Sequence, residues 1–142
     1  MSYISYKNNN LFVENVSVRR LASKLSTPFY LYSEGNIIEN YNSFLKNFKK
    51  SKPLICFSVK ANSNIQILKV LKKMGSGADV VSGGELLKAI KSGIQPSKIV
   101  FSGVGKTEDE IRLAIKKNIL LINVESENEA ILIDKIASNL KK

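Results

Sequence analysis

The chain has 142 residues, enough for one modest core of the size that buries about two-thirds of its unfolded surface, and too few for two. With no histidine and a single cysteine, Cys56, it can assemble neither the usual zinc ligand sets nor an internal disulfide. A net charge of +10 invites a nucleic-acid reading, but the lysines fall in short groups (residues 46–50, 71–73 and 115–117) in the last turns of predicted helices, where cations complement the dipole. The charge is therefore read as solvated helix ends, and no nucleic-acid partner is expected.

No apolar run approaches the roughly 18 residues of a membrane helix. "MSYISYKNNN" lacks a basic region followed by an apolar one, so neither a secretory leader nor a membrane partner is expected, and the location predicted is cytoplasmic.

In chain order, residues 1–26 read as a turn, a short strand "LFVE" (11–14) and a short helix, a lead-in outside the pattern that follows. From residue 27 a unit repeats: strand, cap, helix, stop. "TPFYLYS" (27–33) predicts a strand, with Ser33 capping a helix over 34–50. "PLICFSV" (53–59) predicts the second strand, and Ser63 with Gln66 a capping box opening a helix that Gly75 stops. "ADVV" (78–81), the Ser82–Glu85 box and Gly93 make the third unit. "KIVFSGV" (98–104), Thr107–Glu110 and Asn118 make the fourth, and "LLINV" (120–124) with Ser126–Glu129 the fifth. A leucine-rich solenoid is discounted, since L-x-x-L-x-L-x-x-N does not recur. Strands alternating with helices imply an α/β fold with parallel pairing, either a doubly wound sheet or a (β/α)8 barrel. A complete barrel takes about 250 residues, so this chain would supply its first half and leave an open sheet edge.

One residue stands out against that frame. "CFSVKANSN" (56–64) drives an apolar run straight into an ammonium group. Strand alternation predicts Leu54, Cys56, Ser58 and Lys60 on one face and Ile55, Phe57 and Val59 on the other, with Lys60 at the C-terminal end, where α/β folds bind ligands. The bland reading is a lysine reaching solvent. The chemical one is an amine that attacks a carbonyl to form a Schiff base. Elsewhere, "SGGE" (82–85) is read as a helix cap in preference to an anion site. "GVGK" (103–106) lacks the spacing of a phosphate loop, and Cys56 reads as packing. "ESENE" (125–129) has no role beyond a helix start.

"FSVKANSN", "GSGADVVSGGELLKAIKSGI", "IVFSGVGKT" and "INVESENE", in this order and spacing, resemble the N-terminal half of the barrel of the diaminopimelate decarboxylase family, in the alanine-racemase-like class of pyridoxal-phosphate enzymes. The resemblance runs from about Leu11 through Glu129 and includes "TPFYLYS". The A-Y-G-H-G pattern of alanine racemases is absent after the lysine, and ornithine-type decarboxylases carry a different segment where this chain has "VVSGGEL".

The resemblance implies the N-terminal half of a (β/α)8 barrel from residue 27 to 142, with residues 1–26 packing on a C-terminal β-domain. It implies that Lys60 forms the Schiff base with pyridoxal 5'-phosphate, that Asp79 lies near that lysine and can pair with it, and that Ser58 lines the cofactor pocket. The implied reaction decarboxylates meso-2,6-diaminopimelate to L-lysine and carbon dioxide, in a homodimer. The family's stacking histidine, glycine-rich phosphate site, acid at the pyridine nitrogen and partner-subunit groups come later than residue 142. The chain alone is therefore expected to be inactive. It reads as part of an enzyme completed by further polypeptide, or as the non-catalytic product of a degraded or split gene. Another decarboxylase of the same fold is the remaining alternative.

Overall fold

The computed structural model describes residues 3–48 and 51–142. It forms two compact units that divide between residues 47 and 48.

The first unit is a small antiparallel sheet with two helices. Strands β1 (Ile4–Lys7), β2 (Asn10–Val13) and β3 (Val16–Ser17) pair in that order. Lys7 faces Asn10, leaving Asn8 and Asn9 as a two-residue hairpin loop with φ of 48° and 61°. Asparagine tolerates that left-handed geometry, which matches the twist of the flanking strands. The predicted "LFVE" strand is thus β2, and β1 has no counterpart among the predicted elements. Helix α1 (Val18–Ala22) follows, capped by Ser17.

Residues 27–33 form no strand. They carry the expected apolar residues, but a strand requires a ladder partner and this segment has none in either sheet. Ser33 caps α2 (Glu34–Lys46) as expected, accepting from Asn36 N–H at 2.9 Å. The last two positions of that predicted helix lie outside the described residues. The Glu14 carboxylate joins the hairpin to this cap, accepting from Ser33 Oγ at 2.6 Å and Gly35 N–H at 2.9 Å. Those two donors, the hydroxyl first, hold its carboxyl below the ordinary value.

The second unit alternates strand and helix: β4 (Cys56–Ser58), α3 (Ile65–Lys73), β5 (Gly77–Val80), α4 (Gly83–Lys91), β6 (Ile99–Phe101), α5 (Glu108–Lys117), β7 (Leu121–Ile122) and α6 (Glu127–Asn139). The strands are parallel, in the order β4-β5-β6-β7. A doubly wound sheet reverses its strand order at a switch point. Here spatial order follows chain order, the singly wound arc from which a (β/α)8 barrel is built. Four βα units stand in this sheet where five were expected.

One face of the sheet is core. Val59, Ala78, Val80, Ile99 and Phe101 pack with Leu68, Leu86, Ala89 and Ala114 of the helices, and Phe57 and Ile122 border them. The opposite face carries Cys56, Ser58, Asp79, Val100 and Leu121, in register Ser58↔Asp79↔Val100↔Leu121.

The helix starts refine the predicted caps. Thr107 and Glu110 form a reciprocal capping box. Ser82 and Ser126 each accept from the backbone N–H three residues on, but their glutamates are used elsewhere: Glu85 accepts from Val81 N–H, and Glu129 pairs with Lys106. The Ser63–Gln66 box does not form. Asn62 Oδ1 accepts from Asn64 N–H at 3.0 Å, a local turn that moves the helix start one residue on, so Asn64 caps α3 and Ser63 Oγ instead accepts from Lys88 Nζ at 2.8 Å. The three predicted stops are left-handed, with φ of 88° at Gly75, 94° at Gly93 and 52° at Asn118.

Candidate functional site

Lys60, Ser102, Lys106 and Asn123 of this second unit lie beyond the C-terminal ends of its strands. Strand β4 ends at Ser58, and Val59–Ala61 form a 3-10 turn. Strand alternation therefore stops before Lys60, which the turn holds in place of the extended backbone expected. Val59 is fully buried beneath it, whereas Lys60 is exposed, and among the described residues its amine has no hydrogen bond or ion pair. A turn anchored by a buried valine presents the amine with little backbone freedom.

Two residues back, Ser58 Oγ is buried and has no hydrogen-bond partner among the described residues. Such a group costs about 1–3 kcal/mol of desolvation unless something satisfies it. Ser58 pairs in register with Asp79 on β5. The Asp79 carboxylate accepts from Ser102 Oγ at 2.6 Å, and Ser102 Oγ in turn accepts from Asn123 Nδ2 at 2.9 Å. Cys56, on the same face, has its thiol pushed up by burial and then by the Asp79 charge, so it is held as the neutral thiol.

A second polar group braces the loops outside this one. Lys106 Nζ donates to Gly103 O and Asn123 O, both at 2.8 Å, and to Glu129 Oε1 at 2.6 Å, which uses all three of its hydrogens. Gly103 N–H donates to Glu125 Oε1 at 3.2 Å, giving the acidic segment after β7 a task beyond starting a helix. Gly83 N–H, at the start of α4, donates to Glu110 Oε1 at 2.7 Å. The helix terminus of "SGGE" and the lysine of "GVGK" are thus both engaged by protein groups.

Of the three predicted site residues, the structure brings Ser58 and Asp79 into register and places Lys60 in the turn that follows Ser58. Sequence reasoning missed Ser102, Asn123 and the Lys106–Glu129 pair. Ser102 and Asn123 were findable: each lies two residues beyond an inward-facing strand residue, Val100 and Leu121, at the ligand-binding ends of the strands. Nothing local marks Lys106 as buried.

A family model described as pyridoxal-dependent decarboxylase, pyridoxal binding domain, matches residues 34–142. The chain is 46% identical over 140 residues to the diaminopimelate decarboxylase of Aquifex aeolicus, covering 99% of this chain and 33% of that protein. It is 53% identical over 114 residues to the diaminopimelate decarboxylase of Helicobacter pylori strain J99, covering 80% of this chain and 28% of the relative. Among solved structures, an Aquifex aeolicus protein superposes with a TM-score of 0.95 at 46% identity over 99% of this chain and 35% of its own. The diaminopimelate decarboxylase of M. jannaschii in co-complex with L-lysine gives 0.94 at 39% identity, over 98% of this chain and 33% of its own. The chain spans about a third of the length of the relatives it matches.

Proposed function

The chain belongs to the pyridoxal-binding-domain family of pyridoxal-dependent decarboxylases, and on that premise we propose that it is the cofactor-lysine portion of a decarboxylase that converts meso-2,6-diaminopimelate to L-lysine and carbon dioxide. The family's cofactor is pyridoxal 5'-phosphate. The observation that carries the reading is local: Lys60, whose amine has no partner among the described residues, sits in a turn anchored by buried Val59, two residues from the Ser58 hydroxyl, likewise without a partner among them, and with Asp79 in register beside that serine.

These residues fit the cofactor. Lys60 Nζ would hold its aldehyde end covalently, Ser58 Oγ has unused hydrogen-bonding capacity, and Asp79 supplies a carboxylate able to balance the lysine ammonium. When bound, pyridoxal 5'-phosphate supplies a sink for the electron pair left as carbon dioxide departs. The residues of this chain bind and orient. Lys60 would fix where the amino group of a substrate must arrive.

The substrate reading rests on relatives named diaminopimelate decarboxylase at about 40–50% identity. Because these relatives are about three times longer, catalysis is assigned to a longer protein or to a complex with a second polypeptide, within a homodimer. Residues 1–26 are proposed as the lead-in that packs on a C-terminal β-domain, and residues 27–142 as the first barrel units. No helix among the described residues is long and apolar enough to cross a membrane.

The test mixes the chain with pyridoxal 5'-phosphate, reduces with borohydride and locates the product by mass spectrometry. One modified lysine, Lys60, is expected, and its loss in Lys60→Ala. Label scattered over the other lysines, or unchanged in Lys60→Ala, would overturn the assignment.

A further inference from the structure

We infer that Ser102 and Asn123 are positioning residues for Asp79: a directed pair of hydrogen bonds, Asn123 to Ser102 to Asp79, that holds the carboxylate as an acceptor in one orientation. The inference rests on the assignment of Lys60 and Asp79 to a pyridoxal-phosphate site.

The backbone puts both residues on fixed ground. Ser102 N–H donates to Val80 O at 2.8 Å and Asn123 N–H to Phe101 O at 2.9 Å, so the parallel ladder continues past the formal ends of β6 and β7. Alternation then sends Asp79, Ser102 and Asn123 to the same face of three adjacent strands. The carbonyl of Asn123 is held as well, accepting from Lys106 Nζ at 2.8 Å. Lys106 is buried and saturated, with Glu129 and Gly103 O as its other acceptors.

The direction of the bonds follows from the inventory of donors. An asparagine NH2 can only donate, so the Asn123 contact at 2.9 Å occupies a lone pair of Ser102 Oγ. The single hydroxyl hydrogen of Ser102 is therefore left for Asp79 Oδ1, and that bond is 2.6 Å, in the range of a hydroxyl donating to an ionised carboxylate. Bonds in such a chain polarise one another, so the amide strengthens the hydroxyl as a donor. Asp79 is thereby fixed through Oδ1, while Oδ2 has no hydrogen-bond partner among the described residues. A carboxylate held at one oxygen and free at the other can pair with the ammonium of Lys60 without itself swinging between rotamers.

The test reads Asp79 directly. The chain holds three aspartates, Asp79, Asp109 and Asp134, so a sample labelled with carbon-13 at the aspartate carboxyl gives few resonances to assign. Ser102→Ala is expected to shift the Asp79 carboxyl resonance, and Asn123→Ala to shift it in the same direction. In a Ser102→Ala background Asn123→Ala should add nothing, and Ser102→Thr, which keeps the hydroxyl, should restore the wild-type position. Should Ser102→Ala unfold the chain, Ser102→Cys serves in its place, being of similar volume and a weak donor. An Asn123→Ala chain with Asp79 unmoved, or an equal shift with and without Ser102, would overturn the relay. A merely structural role would lower stability without that dependence.

A borohydride trap on the same samples separates the two ideas. Coupled shifts without selective Lys60 labelling would keep the relay and defeat the cofactor assignment. Selective labelling of Lys60 in wild type should fall severalfold in Ser102→Ala, and labelling unchanged there would defeat the positioning role alone.

Discussion

The ammonium of Lys106 lies 2.6 Å from the Glu129 carboxylate, with the two side chains only 1% and 9% exposed. A charge pair this far from solvent is held together by the cost of leaving either member alone, and removing one partner of such a pair costs about 3–5 kcal/mol. Glu129→Ala is expected to lose that much in urea unfolding, a large share of the roughly 5–15 kcal/mol available to a small domain. The double change Lys106→Met with Glu129→Leu should recover part of the loss. Recovery is incomplete because Gly103 O and Asn123 O lose their shared donor. A Glu129→Ala chain as stable as wild type would show that the ammonium is hydrated.

Glu110 predicts a pH dependence. Gly83 N–H and then Thr107 N–H hold its carboxyl below the ordinary value of 4.5, outweighing the upward push of burial. Between the lowered folded value and 4.5 the unfolded chain binds more protons, so stability rises with pH in that window. The advantage of wild type over Glu110→Gln should be complete above pH 4.5 and vanish as pH falls through the lowered value. Urea midpoints measured across that range check it, and a constant difference between the two proteins would contradict it.

Gly77 is a close-approach glycine in β5. A β-carbon there would run into the Lys98 carbonyl oxygen and stand 2.8 Å from Cys56 Sγ. The obstacle is backbone, which cannot swing aside, so Gly77→Ala should cost about 1–3 kcal/mol, the usual range for overpacking. An unchanged urea midpoint would mean that β5 and β6 can separate locally.

Ser58 should show opposite effects on stability and on binding. Its buried hydroxyl lacks a partner among the described residues, so Ser58→Ala is expected to raise the stability of the chain by up to about 1 kcal/mol, since an unsatisfied polar group is removed. The same change should weaken trapping of pyridoxal 5'-phosphate at Lys60. A destabilised Ser58→Ala chain would point instead to a hydration site at this hydroxyl.

Much of the second unit was legible along the chain because its signals are local. Thr107 and Glu110 sit three residues apart and bond to each other, and Gly75, Gly93 and Asn118 stop helices through their own φ. Where a neighbour competed, local reading slipped. Asn62 moved the start of α3 from Ser63 to Asn64, and a turn after Ser58 took Lys60 out of the strand pattern that first drew attention to it. The apolar residues of 27–33 matched a strand, yet a strand needs a second chain segment to bond with, and a motif does not supply one.

Composition and periodicity by themselves determined the α/β class and the alternation of strand and helix, and the resemblance of the ordered motifs determined the family and singled out Lys60 as the amine to test. Each is written within a few residues of chain or in the order of such stretches. Only the tertiary structure decided that Ser58 faces Asp79, that Ser102 and Asn123 line up behind that carboxylate, and that Lys106 is buried against Glu129. Those relations join residues about 20 apart, and they exist only once parallel strands take a register that a shift of one residue would turn inside out.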